Sequence, residues 1–206
     1  MFYFRAHGCW MYKNDLRRTI LKPSVMMNQA APLELETQRT VIRPFDLADV
    51  SLAYGWFSDP DVMRYIPSGP DSTVQDCIQR IERYRLHHQQ HGFGKWVITH
   101  RENGELLGDC GLTYLPDGRR IELGYRLARK YWGQGLAFEV GKAWLCSAQK
   151  FVNASTLYAY AHPDHAASLH VMKKLGFSYL RQEIVYDWEV PMHHIHLADS
   201  DISQAL

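Results

Sequence analysis

The stretch RKYWGQGLA, residues 129–137, joins a strand-patterned segment directly to the most regular helical pattern in the chain. Glycines at 133 and 135 let consecutive backbone N–H groups turn into one concavity, and the following helix adds its unpaired N-terminal donors and positive dipole end. Such a turn suits a pyrophosphate. It matches neither GxGxxG nor GxxxxGK[ST], so neither a dinucleotide fold nor a P-loop is supported. A plain glycine turn would look the same in isolation, and the flanking segments decide what it belongs to.

Upstream, KWVITHR (95–101), ELLGDCGLTYL (105–115) and RIELGYRL (120–127) read as strands separated by the turn signals Asn103-Gly104 and Asp117-Gly118, which predicts an antiparallel meander. Downstream, Ala137, Val140, Gly141, Trp144, Leu145, Ala148 and Phe151 recur at helical spacing and predict a helix from Gly135 to Val152 with one buried face. TLYAYA (156–161) is a further strand, Pro163-Asp164 opens a short helix ending at Gly176, and FSYLRQEIVYDW and EVPMHHIHLA supply two last strands. Nearer the N-terminus, TVIRPF (40–45) is a strand stopped by Pro44. Asp46 then caps a helix over about 46–58, with Leu47, Val50, Ala53, Tyr54 and Phe57 as its stripe, which stops before Asp59-Pro60. After a loop with Pro67, Gly69 and Pro70, Ser72 and Gln75 have capping-box spacing, and Val74, Cys77, Ile78, Ile81 and Tyr84 stripe a second helix to about His88. The whole order describes one α/β domain, a mixed sheet with helices on both faces.

Composition agrees: 206 residues, 46% hydrophobic and 22% charged, close one sizeable core. A net charge of +1 argues against a dedicated nucleic-acid binder, and no run of apolar residues is long enough for a membrane span or a secretory h-region. Cys9, Cys77, Cys110 and Cys146 form no CxxC pair and read as reduced thiols of a cytoplasmic protein. Residues 1–33 carry Arg5, Lys13, Arg17, Arg18 and Lys22 against Asp15 alone. Residues 1–36 are accordingly expected to be a poorly ordered extension, 37–198 the domain and 199–206 a tail, with Met26 and Met27 as internal starts.

YWGQGLAFE, with IELGYRL before it and LYAYAHPDHAASLHVMKKLGF after it, resembles the GCN5-related N-acetyltransferases (GNAT), in particular the branch of the ribosomal-protein N-terminal acetyltransferases. TQRTVIRPF, DPDVMRYIPSGP, GELLGDCGL and the KLGF helix ending occur in the same order, so the resemblance spans about residues 37–197. It implies a mostly antiparallel central sheet splayed at a cofactor slot, and acetyl transfer from acetyl-CoA to an amine by direct attack, without a metal. Carried over residue by residue, it implies that the backbone of Leu127 meets the pantetheine and that the N–H groups from Gly133 through Gln134, Gly135 and Leu136 to Ala137 hold the pyrophosphate. Lys130 stands where relatives have Gln or Arg, and His165 where they commonly have Asn at the head of the short helix. Met172 occupies the position of a tyrosine proposed to protonate the departing thiolate, which leaves Ser168, one turn earlier, to hydrogen-bond the sulfur. Asp59, Arg64 and Tyr65 fall in the segment resembling the acceptor wall.

An amine nucleophile near neutral pH must lose a proton. Glu122, in the strand beside the implied slot, is the first candidate base, against a bland alternative as a salt-bridge partner of Arg126. Asp109 and His162 rank behind it. His194 and His196 share a strand face beside His193, but no acidic or thiol ligand sits at a matching offset, so they read as surface histidines rather than a metal site, as do His87, His88 and His91. Two other readings stand beside the enzyme. One is a CoA-binding sensor or interaction module with weak or lost catalysis, motivated by His165 and Met172. The other is an RNA- or ribosome-associated protein that uses the basic arm. Acetyl-CoA and an amine acceptor are the expected partners, with a homodimer as an open option and neither nucleic acid nor membrane.

Overall fold

A computed structural model describes residues 33–197. The basic segment, the starts at Met26 and Met27, Cys9 and the tail from 199 lie outside the described residues. The strands are β1 (Leu35–Glu36), β2 (Thr40–Arg43), β3 (Lys95–His100), β4 (Leu106–Tyr114), β5 (Ile121–Leu127), β6 (Thr156–Tyr160), β7 (Ser178–Val185) and β8 (Trp188–His196). They form one sheet in the order β1-β2-β3-β4-β5-β6-β8-β7. Every neighbouring pair is antiparallel except β5 and β6, which run parallel.

The α-helices are α1 (Val50–Phe57), α2 (Pro60–Met63), α3 (Val74–His91), α4 (Leu136–Ser147) and α5 (Ala166–Lys174). Alternation along the strands sends Ile98, Leu112 and Leu123 to one core with Val140, Trp144 and Leu145 of α4 and Met172 of α5. Val97 goes to a second core with Val50, Trp56, Phe57, Cys77 and Ile81 of α1 and α3. Each fully buried large side chain contributes roughly 1.5–3 kcal/mol, so both faces of the sheet are firmly held. Packing at β4 depends on Gly111: at φ +155, a Cβ there would stand 2.0 Å from Gly94 O.

Several boundaries move. Leu35 and Glu36, assigned to the extension, pair with Ile42 and Val41 as β1. The first helix starts as a 3₁₀ turn over Leu47–Asp49, capped by Asp46, and Leu47 is exposed because the α-helical period begins only at Val50. The second helix is capped by Thr73 with Asp76, one residue after the expected Ser72 and Gln75 box, and it runs to His91, where Gly92 closes it at φ +78. α2 lies in the segment read as loop, with Asp59 as its cap and Pro60 at its first position. The helix expected to reach Val152 becomes a 3₁₀ turn after Ser147. No helix among the described residues is long and apolar enough to cross a membrane.

The feature that positions the site is the joint between β5 and β6. Their register is a single pair, Glu122 with Tyr158. Ala128 N–H donates to Leu107 O, so even-numbered residues of β5 bond β4 while the backbone polar groups of Leu123, Tyr125 and Leu127 face the β6 side. Beyond Leu123 the two strands part.

Candidate active site

The splayed half of β5 leads straight into the glycine turn. Gly133 and Gly135 have φ +74 and +76, the left-handed region that glycine adopts without strain, and Gly135 is the N-cap of α4 with no side chain capping the helix. The first N–H groups of α4 have no intrahelical acceptor and point out of its end. The Gln134 side chain bonds Lys130 O at 3.0 Å, while Leu136 is buried in the core and anchors the helix start. Trp132 Nε1 donates to Leu127 O at 2.8 Å, which fixes that carbonyl and ties the turn to the strand.

A clamp from the turn between β1 and β2 holds the glycine turn from outside. Arg39 donates through Nη1 to Gln134 O at 2.9 Å and through Nε to Glu139 Oε2 at 2.7 Å, and Glu139 also accepts from Thr37 Oγ1 at 2.5 Å and Arg39 N–H at 2.9 Å. Burial works against the Glu139 carboxylate, but the bonds from Thr37 and Arg39 outweigh it and pull its pKa below the usual range.

Across the gap, α5 turns Ser168 towards β5. Tyr125 Oη donates to Ser168 O at 3.2 Å and stands 3.3 Å from Ser168 Oγ. Burial pushes the Tyr125 phenol far above its ordinary pKa, against the opposing pull of the Ser168 bond. Met172 is 2% exposed within the core. His165 is the N-cap residue of α5 but makes no side-chain cap bond; its ring stacks on Tyr65 at 4.6 Å between centroids. The same Tyr65 ring stacks on His162 at 5.2 Å, and His162 meets Trp188 edge-on at 5.2 Å. Burial, and secondarily His162, lowers the His165 pKa.

On the sheet face that carries α1 and α3, Glu122 accepts from Thr113 Oγ1 at 3.0 Å. Tyr160 and Tyr186 have raised pKa values, from burial first and the Glu122 charge second. Asp109, by contrast, is fully committed: Arg126 Nε and Nη2 donate to its two oxygens at 2.9 and 2.7 Å, and Trp56 Nε1 donates at 3.2 Å. Arg126 therefore belongs to Asp109 and not to Glu122. Asp59 accepts from Asp61 N–H at 2.9 Å and pairs with Arg129 Nε at 3.3 Å, and Arg64 pairs with Asp61 on the surface at 2.5 Å. The structure thus ties Leu127 to the glycine turn through Trp132, β5 to Ser168 through Tyr125, and His165 to Tyr65 by stacking, with Glu122 at the β5–β6 joint, while Arg64 faces outward in a local ion pair.

Tyr125 and the Arg39–Glu139 clamp were not among the expected site residues. The signal for the clamp was Glu139 in the glycine-turn motif, an acidic residue in the first turn of a helix with no cap of its own. His194 and His196 rings lie 5.2 Å apart, and no group of three or more His, Cys, Asp or Glu side chains among the described residues is arranged to hold a metal.

The family model for the acetyltransferase (GNAT) domain matches residues 39–178. The chain belongs to the GNAT family. An uncharacterized N-acetyltransferase, p20 of Bacillus licheniformis, is 28% identical over 159 residues, covering 75% of this chain and 86% of the relative. Among solved structures, a GNAT-family acetyltransferase from Bacillus anthracis aligns with a TM-score of 0.71 at 21% identity, over 81% of this chain and 100% of the other. RimL, a ribosomal L7/L12 alpha-N-protein acetyltransferase solved in complex with coenzyme A, aligns with a TM-score of 0.66 at 15% identity, over 80% and 98%. This GNAT chain is an N-acetyltransferase, and it shares its fold with the RimL-type branch.

Proposed function

We propose that this acetyltransferase moves an acetyl group from acetyl-CoA directly to a primary amine, and that it does so at the gap between β5 and β6. The observation that carries the reading is the single-pair joint of Glu122 and Tyr158, because it opens a backbone edge between the glycine turn and a carboxylate. The donor set fits the co-substrate: N–H groups from Gly133 to Ala137 for the pyrophosphate, and the outward polar groups of Tyr125 with the Leu127 N–H for an amide-bearing arm. CoA bound to RimL is a parallel, and that protein's name gives a protein α-amine as its acceptor. Bound acetyl-CoA supplies an activated acyl group with a thiolate leaving group.

In this reading Glu122 takes the proton from the acceptor amine, directly or through one water, with Thr113 orienting the carboxylate. Ser168 donates a hydrogen bond to the sulfur position, and Tyr125 holds the Ser168 segment in place. Tyr65, with His162 and His165, walls the acceptor side, and Asp59 steadies that wall against Arg129. The setting is cytoplasmic.

Glu122→Gln tests the assignment. With acetyl-CoA and a panel of amines and peptide N-termini, thiol release by the variant should show kcat reduced by about a hundredfold to ten-thousandfold, with CoA affinity retained. A variant with wild-type kcat and pH profile would remove Glu122 as the base. CoA binding without turnover by the wild-type chain on any amine would instead favour a sensor or interaction module.

A further inference from the structure

Lys95 is 9% exposed, and its side chain runs across the sheet rather than out of it. Nζ donates to Gly111 O at 3.2 Å. A Cβ built on Gly124 would stand 2.3 Å from the same Nζ, so the head of Lys95 lies over β5 at Gly124. β4 and β5 present matched rows on this face: Asp109 opposite Arg126, Gly111 opposite Gly124, Thr113 opposite Glu122. The first pair is closed by its ion pair and the last by the Thr113–Glu122 hydrogen bond. The middle pair carries no side chains. It leaves a recess floored by two glycines, into which Lys95 reaches from β3.

A lysine head has three donors, and Gly111 O is the hydrogen-bond acceptor that Nζ finds among the described residues, where it forms no ion pair. Burying a cation with so little compensation is costly unless a partner arrives. Neither neighbouring carboxylate forms an ion pair with it: Asp109 is neutralised by Arg126, and Glu122 accepts from Thr113. Gly124 lies between Leu123 and Tyr125, whose backbone faces the splayed gap, so the recess adjoins the reaction centre.

We propose that Lys95 receives a carboxylate of the acceptor, so that the acceptor is an α-amino acid or an equally short zwitterionic amine. The inference rests on the acetyl-transfer reading above. Glu122 and Gly124 are two residues apart on one face, a rise of about 6.6 Å. Laid end to end, two charge-assisted hydrogen bonds of about 2.8 Å each, one from the amine to Glu122 and one from Lys95 to the carboxylate, would take most of that rise, so only an acceptor whose amine and carboxylate are joined through one or two carbons, bridging in a bent path, fits between them. A diamine would instead bring a second cation against Lys95.

The test uses the full chain with acetyl-CoA and matched acceptor pairs: phenylalanine with phenethylamine, tyrosine with tyramine, and lysine with cadaverine. In at least one pair kcat/KM is expected to be about tenfold or more higher for the carboxylate-bearing member, and Lys95→Met is expected to collapse that ratio. Gly124→Ala, whose methyl group displaces the Lys95 head, should lower the ratio as well, and it decides the matter together with the wild-type ratio if Lys95→Met does not fold. Equal or better use of the decarboxylated members by the wild-type chain overturns the inference and leaves acetyl transfer to amines standing. An unchanged ratio in either folded variant also overturns it. Bound CoA with no transfer to any member of any pair overturns the inference, and the acetyl-transfer reading falls with it only if peptide N-termini and polyamines are also left unacetylated.

Discussion

Asp109→Asn separates what holds this sheet from what works on it. The Asp109 side chain is 1% exposed and that of Arg126 10%, and two hydrogen bonds join them across β4 and β5. The guanidinium also donates to Tyr84 Oη at 2.7 Å and lies 5.0 Å from the centre of the Phe57 ring, so it cannot swing to solvent without leaving the second core. Burial works against the charged guanidinium, but Asp109 and Tyr84 outweigh it and the Arg126 pKa is raised; a guanidinium is too basic to lose its proton even when that partner is gone, so the charge stays behind. Removing one member of such a pair costs about 3–5 kcal/mol, because the other is left buried and unpaired. For a chain of this size each kcal/mol moves Tm by about 2–4 °C, so a loss of about 6–20 °C is expected. Urea unfolding followed by tryptophan fluorescence reads it directly, since Trp56 bonds Asp109, and the m-value should not change. Where both proteins are folded, acetyl transfer should fall by far less than the roughly hundredfold a missing base costs. A loss of stability under about 1 kcal/mol would refute the strut, and a selective loss of kcat would make Asp109 the base.

Gly135→Val forces a β-branched residue to φ +76 at the helix cap, and should cost roughly 1–2 kcal/mol of stability and about tenfold or more in CoA affinity by calorimetry. Unchanged affinity in the folded variant would move the phosphate site elsewhere. His87, His88 and His165 all have pKa values lowered from the ordinary 6.5, chiefly by burial. Their neutral forms are favoured by the fold, so the stability they contribute is complete above 6.5 and is lost as the pH falls towards their lowered values. Urea midpoints should therefore drop between about pH 7.5 and about pH 5.5, and a flat or rising profile would contradict the burial of these rings.

The meander was legible because Asn103-Gly104 and Asp117-Gly118 fix two turns, and the turns fix the register of β3, β4 and β5. α4 was legible from its stripe. α2 was missed because four residues hold barely one helical turn and give no periodic signal, although Asp59-Pro60 is an N-cap followed by a first-turn proline. Ser72 and Thr73 each begin a cap-compatible spacing, and only the backbone geometry at Thr73 selects between them. The suggested pairing of Glu122 with Arg126 failed for a simple reason: four residues along one strand put them about 13 Å apart, whereas Asp109 lies directly opposite Arg126. The contact of Tyr125 with Ser168 and the stack of Tyr65 on His165 join segments far apart in the chain, and no local pattern announces them. The splay came from family resemblance, because periodicity identifies strands without saying where two neighbours stop pairing.

An unpaired strand edge is ordinarily a hazard at the rim of a sheet, where any extended chain can add to it. The parting of β5 from β6 puts such an edge in the middle instead, between Leu123 and Leu127, with three strands beyond it on the far side. A neighbouring protein's strand, with side chains above and below its backbone, cannot thread into that seam as it could along a rim. A slender, unbranched amide chain can. The placement of the edge thus acts as a filter on molecular cross-section, keeping the hydrogen-bonding strip open to a cofactor arm and closed to aggregation.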